Sequence, residues 1–141
     1  MSEIHFIEKF RIPSITQQEH RIGISKNGKG YIYEQQELKD ARALIRAHMA
    51  QHKPDAPLSG PLFVSVSWMY NDAEGKHDDL EYKVTKPDTG NLNKMLLDEM
   101  TRLGYWKDDA VISVELTRKF WTHDFEGVII TAMELPKVGA L

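Results

Sequence analysis

A run of alternating hydrophobic residues in the middle of the chain constrains the fold more than any other feature. Its apolar members share one parity, and serines stand between some of them: Leu62, Val64, Val66, Trp68 and Tyr70. This period of two is typical of a strand that buries one face. Neighbouring strands and a covering layer are then needed to complete the fold, and the rest of the chain has to supply them.

Two other segments have helical spacing. One helix is predicted from about Glu34 to Gln51, with Lys39 on the side opposite its apolar stripe. A second is predicted from Asn91 to Leu103, with Asn91 as its N-cap and Gly104 just past its end. The apolar stripe of this second helix is Leu92, Met95, Leu96, Met100 and Leu103.

The remaining strands are predicted on both sides of these helices. The first runs from Ile4 to Ile12 and ends at Pro13. Asn27–Gly28 stands between two strand-like runs, Arg21–Lys26 and Lys29–Tyr33, which predicts a hairpin. Further strands are predicted by the alternation of Ile112, Val114, Leu116 and Phe120, and by Val128–Leu135, which is apolar on both parities and therefore central. The predicted fold is α+β, with one mixed or antiparallel sheet and two helices packed on it.

Composition indicates one globular domain over residues 1–141. The chain has no internal repeat or linker, and its lack of cysteine excludes disulfide scaffolds and thiolate metal sites. No apolar run reaches the roughly 20 residues of a membrane span, and the N-terminus lacks a secretory signal. We therefore expect a cytoplasmic protein. The net charge of -3 counts against a non-specific nucleic-acid binder but leaves a DNA enzyme with clustered carboxylates open.

Acidic residues flank the second predicted helix. Asp88 lies just ahead of it, and Asp108 and Asp109 follow its C-terminal end. Carboxylates are the ligands that Mg²⁺ prefers, and a nearby lysine stabilises charge that develops on a phosphate. The alternative is structural, since an aspartate before a helix often caps it and an Asp-Asp pair often forms a turn.

The two acidic ends can meet within one chain only under one condition. A helix over residues 91–103 is ~20 Å long, and the extended segment from Gly104 to Asp109 spans about the same distance. That segment must therefore double back along the helix, with Trp106 packing against it. Otherwise the acidic cluster is assembled between two subunits.

The stretch from Lys86 to Val111 resembles the RusA family of Holliday junction resolvases, and the similarity is closest to its Gram-positive phage branch. Three separated features carry the resemblance: Lys-Pro-Asp-x-x-Asn-Leu-x-Lys at residues 86–94, the Gly-Tyr-Trp that ends the helix, and the x-Asp-Asp-Ala that follows. The resemblance implies a homodimeric, often prophage-encoded endonuclease that cuts four-way DNA junctions in recombination and repair. It implies Mg²⁺, or Mn²⁺ in its place, and neither a nucleotide cofactor nor a membrane.

The resemblance also implies roles for individual residues. Asp88 and Asp109 match the first and last catalytic aspartates and would hold the metal, with Asp108 in support. Lys94 matches the catalytic lysine, and Asn91 matches the asparagine of the motif. Two-fold symmetric junctions need paired cuts, and a C₂ dimer supplies two related sites.

One departure from the family pattern matters more than these matches. The pattern is Asp-x-Asp-Asn-Leu, and Gly90 stands where the middle metal ligand is missing. Without it we expect activity to fall by orders of magnitude unless another acid substitutes. Candidates are Asp98, which lies inside the helix, and the loop residues Asp78 and Asp79. The chain is then either a weakened nuclease or a non-catalytic branched-DNA-binding protein on the same fold; an unrelated interaction domain is a third, weaker alternative.

DNA contacts are predicted on basic and polar residues around the motif and in the predicted hairpin. The candidates are Lys86, Asn91, Arg21, Lys26 and Lys29. Other lysines and arginines surround the motif in sequence, including Lys83 and Lys119. Such groups would dominate affinity through counterion release. The alternative for each is a solvated surface side chain.

Overall fold

The computed structural model describes residues 2–14 and 29–141, with only the backbone described for residues 29–35. Its strands are β1 (Glu3–Lys9), β2 (Leu62–Asn71), β3 (Ile112–Thr122) and β4 (Gly127–Glu134). Its helices are α1 (Lys29–Ala50) and α2 (Thr89–Leu103), and a 3₁₀ turn (Asp109–Val111) precedes β3. Among the described residues, neither helix is long and apolar enough to cross a membrane.

The four strands form one mixed sheet in the order β1-β4-β2-β3. The β1–β4 and β4–β2 pairs are antiparallel, whereas β2 and β3 are parallel. β4 lies inside the sheet, and its Val128, Ile130 and Ala132 are fully buried. This confirms the central position predicted from its apolar character.

Both helices contribute to the same core as the sheet. Ile45 and Met49 of α1, Leu96 of α2 and Val66 of β2 belong to a single cluster of buried residues. Each of these four side chains is fully buried. The predicted α+β class, with one sheet and two helices packed on it, is confirmed.

The prediction of a second hairpin strand is wrong. Lys29–Tyr33 form the first turns of α1 rather than a strand, and Arg21–Gly28 lie outside the described residues. The strand prediction depended on a local turn signal. Helix formation is cooperative, so extending an established helix costs little compared with nucleating it. The amphipathic segment beginning near Leu38 therefore continues backward to Lys29.

The β2–α2–β3 unit positions the candidate site. A parallel strand pair needs a crossover connection, and here α2 provides it. Glu115, Thr117 and Lys119 of β3 pair in register with buried residues of β2. Paired residues on neighbouring strands share a face, so these three polar side chains belong to the face that α2 covers.

Candidate functional site

Asp88 caps helix α2. Its backbone is extended (φ -71°, ψ 139°), and its Oδ1 accepts a hydrogen bond from the Gly90 N–H at 3.3 Å. The helix therefore begins at Thr89, and the prediction of Asn91 as N-cap is wrong, because Asp88 satisfies a free N–H one turn earlier. The predicted end is confirmed: Gly104 adopts the left-handed conformation (φ 91°), and its N–H bonds to the carbonyls of Met100 and Thr101.

The segment after α2 is anchored to the helix by aromatic residues. Trp106 is 1% exposed, and its Nε1 donates a hydrogen bond to Thr101 Oγ1 at 2.7 Å. Tyr105 is fully buried, and its hydroxyl donates to the carbonyl of Met49 in α1. The chain therefore turns back along α2 and brings Asp109 toward the start of the helix within a single subunit.

An open cavity of about 520 Å³ lies between α2 and β3. Residues from the helix, the 3₁₀ turn and the strand line it. Gly90 is among them, and the lining side chains that can ionise or bond through an amide are Asn93, Lys94, Asp98, Asp109 and Glu115. Lys94 and Asp98 are four residues apart and share one face of the helix. The cavity thus combines one ammonium group with three carboxyl groups.

The carboxyl groups at one end of this cavity interact electrostatically. A hydrogen bond with Asp108 is the main cause that raises the pKa of Asp109, and burial and the charges of Asp108 and Asp98 add to it. Lys94 opposes this shift. The pKa of Asp108 is lowered mainly by the Ala110 N–H, which donates to Asp108 Oδ1 at 3.0 Å. The hydrogen bond between the Asp108 and Asp109 side chains lowers the pKa of Asp108 further. The hydrogen bond between the two carboxyl groups thus moves their pKa values apart, with that of Asp109 raised and that of Asp108 lowered.

Asn93 connects the helix to both parallel strands. Its Oδ1 accepts a hydrogen bond from Trp68 Nε1 at 2.6 Å, and its Nδ2 donates to Glu115 Oε1 at 3.2 Å and to Thr117 Oγ1. Asn93 is buried at 5% exposure, and Trp68 is fully buried. The amide therefore holds the Glu115 carboxylate at the cavity wall.

Replacing Asn93 with alanine is expected to destabilise the protein by about 1–3 kcal/mol, because it leaves the buried Trp68 N–H without an acceptor. Urea denaturation followed by circular dichroism measures this loss. Asn91→Ala, two residues earlier in the same helix, serves as the control. It is expected to lose less free energy of unfolding, because Asn91 is half-buried whereas Asn93 is buried. Equal losses in the two variants would contradict the role given to Asn93.

Asp88 lines a different cavity from Asp109. This neighbouring space of about 500 Å³ is lined by Val84, Thr85, Lys86, Asp88 and Lys119. Consecutive residues border the two spaces, since Asp88 lines this one whereas Thr89 and Gly90 line the other. The predicted metal ligands Asp88 and Asp109 therefore line separate cavities, each of which includes a residue from the start of α2 or its cap.

Position 90 has room for a side chain. A Cβ built on Gly90 has Asp88 Oδ1, at 4.0 Å, as its sole neighbouring atom within that distance among the described residues. Its φ is not in the left-handed region, so no backbone strain opposes a larger residue. An aspartate at this position would extend from the boundary between the two cavities.

The carboxylates that the structure describes do not make a complete metal site. Within residues 2–14 and 29–141, no three histidine, aspartate or glutamate side chains come together closely enough to hold a metal ion. This applies equally to Asp78 and Asp79, since Asp79 is engaged instead with the His123 N–H at 2.9 Å. The gap in the donor set agrees with the absence of a carboxylate at Gly90.

The structure describes some of the predicted DNA-contacting residues and not others. Lys86 is exposed beside Asp88, and Asn91 is half-buried in the first turn of α2. Arg21 and Lys26 lie outside the described residues, as does the side chain of Lys29. The structure therefore places Lys86 next to the candidate site and gives no position for the hairpin candidates.

Asn93 and Glu115 were not predicted as site residues. Asp98 lies four residues from Lys94, so the sequence alone predicts that the two share a helix face, whereas no neighbouring residue in the sequence indicates that Glu115 belongs to the site. Its position beside α2 depends on the parallel register of β3 with β2.

A lysine and several carboxylates around an open cavity are side chains suited to binding a cation and a phosphate, which is the chemistry required of enzymes that hydrolyse phosphodiesters. Comparison with known families agrees with this class. The model of the family described as Endodeoxyribonuclease RusA matches residues 12–133. The chain belongs to the RusA endodeoxyribonuclease family, whose activity is resolution of Holliday junctions and whose nucleases are generally dependent on divalent metals. No curated protein matches the chain in a direct comparison.

Proposed function

We propose that this chain is a structure-specific endodeoxyribonuclease for four-way DNA junctions whose cutting is weakened by Gly90. The observation that supports this most is the common cavity of Lys94, Asp98 and Asp109, with Gly90 at its rim. The RusA family match supports the junction as substrate. Mg²⁺ is the proposed cation for phosphodiester hydrolysis, and Mn²⁺ can take its place. The proposed biological role is in DNA recombination and repair.

Individual roles follow from the chemistry of these side chains. In the proposed site Asp88 and Asp109 are the metal ligands and Asp108 supports Asp109. The Lys94 ammonium stabilises negative charge on the phosphate.

The proposed assembly is a homodimer of single-domain subunits, each spanning residues 1–141. A four-way junction has two-fold symmetry, so two symmetry-related sites can cut opposite strands. One continuous core in the described residues supports a single domain.

A second candidate function is a non-catalytic junction-binding protein on the same fold. Two observations favour it: the missing third carboxylate in the described residues and the use of Asp88 as a helix cap. A binder of this kind needs the basic surface but not the metal.

A nicking assay on a synthetic four-way junction distinguishes the two functions. A titration of Mg²⁺ and of Mn²⁺ measures cleavage, and a gel shift in Ca²⁺ measures binding, with linear duplex of the same sequence as the control. Metal-dependent nicking supports the weakened nuclease, and junction binding without nicking at any metal concentration supports the binder. Loss of both on every branched substrate would refute both proposals.

A further inference from the structure

The cavity beside Asp88 has a basic character of its own. Lys86 and Lys119 line it together with Val84 and Thr85, and Asp88 supplies its one carboxylate. That carboxylate already accepts the N-cap hydrogen bond from Gly90.

Lys119 is fixed in this cavity by the backbone. Its Nζ donates hydrogen bonds to the carbonyl oxygens of Thr85 at 2.7 Å and of Pro87 at 3.0 Å. An ammonium group has three donors, and these two bonds use neutral acceptors. The charge of Lys119 is thereby held in place without being neutralised.

A second ammonium group lies behind the first. Lys83 is buried at 8% exposure, and its Nζ donates to Thr85 Oγ1 at 2.7 Å and lies 3.9 Å from the centroid of the Trp121 ring. Both lysines therefore bond to the same threonine. Burial and the neighbouring Lys119 charge lower the pKa of Lys83, and the charge of Glu126 opposes this shift.

Close ion pairs do not neutralise this positive charge. In the part of the chain that the structure describes, Lys83, Lys86 and Lys119 have no ion pair with an aspartate or glutamate within 4.0 Å, although Asp88 lines the same cavity. Bringing like charges together without a close counterion is unfavourable, and an anion in the cavity would relieve it.

The position of the cavity relates it to the candidate active site. Consecutive residues of the chain border the two cavities, since Asp88 lines the basic one and Thr89 lines the acidic one. A DNA strand that places one phosphate in the acidic cavity would therefore pass the basic cavity at the N-terminus of α2.

We propose that this basic cavity binds the backbone phosphate next to the one at the candidate active site, with Lys119 and Lys86 as its direct ligands and Lys83 as a buried supporting charge. The inference rests on the proposed function, since it takes the DNA strand to pass through the acidic cavity. It gives a specific phosphate ligand role to Lys119, which the sequence placed only among several basic residues around the motif.

Junction binding in Ca²⁺, measured by fluorescence anisotropy over a range of salt concentrations, tests this proposal. Lys119→Gln and Lys86→Gln are each expected to weaken binding and to reduce the slope of log K against log salt by about 1, and the double variant by about 2. Lys39→Gln on the exposed side of α1 carries the same charge change and is expected to leave both unchanged. Lys119→Arg keeps the charge and is expected to keep the slope.

Two outcomes count against the proposal in different ways. Binding by the unmodified protein, with slopes in the Lys119 and Lys86 variants equal to that of Lys39→Gln, overturns the phosphate cavity and leaves the proposed function intact. Absence of junction binding by the unmodified protein overturns the proposed function and this inference with it. Thermal melting of each variant by circular dichroism identifies any loss caused by unfolding.

Discussion

Junction cleavage in the presence of Mg²⁺ is expected to increase on the order of 100-fold when Gly90 is replaced by aspartate, because the added carboxylate can serve as a metal ligand and one preorganised electrostatic group typically contributes a factor of this order. The new carboxylate would stand between Asp88 and Asp109, which line adjacent cavities. The substitution should also fold well. The position is open, and α2 has no acidic residue in its first turn, where a negative charge favours the helix.

Two measurements separate a restored metal site from a general effect. Nicking of a synthetic junction during a Mg²⁺ titration gives the gain in activity, and calorimetric titration with Mn²⁺ gives the gain in metal affinity. Gly90→Asn is the matched control, because it adds nearly the same volume without the charge and is expected to gain neither. A Gly90→Asp protein that binds Mn²⁺ no better and cuts no faster would refute the proposal that the missing carboxylate at position 90 weakens cleavage.

Trp106→Ala is expected to destabilise the protein by about 3–5 kcal/mol, the usual cost of truncating a buried aromatic residue. Trp106 is 1% exposed, and its indole N–H bonds to Thr101 Oγ1, so the variant loses both the packing and the hydrogen bond. Urea denaturation followed by circular dichroism gives the free energy of unfolding.

The consequence for the site can be tested in the Gly90→Asp background. Trp106 anchors the segment that returns Asp109 to α2, so Trp106→Ala should also abolish the restored cleavage at temperatures where the protein is still folded. Trp106→Phe retains most of the packing and is expected to lose about 1 kcal/mol for the hydrogen bond. A loss below about 1 kcal/mol in Trp106→Ala would show that the return segment is held by something else.

Local patterning predicted most of the elements because their periodicities reflect the packing directly. β2 alternates, α2 has its apolar stripe and its Gly104 end, and β4 is apolar on both parities because it lies inside the sheet. The strand prediction for Lys29–Tyr33 failed where a two-residue turn signal competed with a longer helix. The start of α2 was misplaced because Asp88 and Asn91 both suit an N-cap by residue type alone.

The candidate site was harder to predict because a crossover assembles it. The helix spacing of Lys94 and Asp98 is a property of the sequence, whereas the place of Glu115 depends on how β3 pairs with β2. On β3 the apolar parity is the more exposed one, with Val114 at 45% and Leu116 at 42%, while the polar parity faces α2. Because β3 is an edge strand that lines a polar cavity, several of its apolar side chains are exposed while polar ones face the helix, which is the opposite of the usual pattern.

The open space around Gly90 has a consequence for inheritance. Glycine and aspartate codons can differ by a single base, and among the described residues beyond its two chain neighbours the only side chain that comes within 4.0 Å of a Cβ at this position is that of Asp88. A lineage could therefore lose strand scission and later regain it by one point mutation, while retaining the scaffold unchanged in the interval.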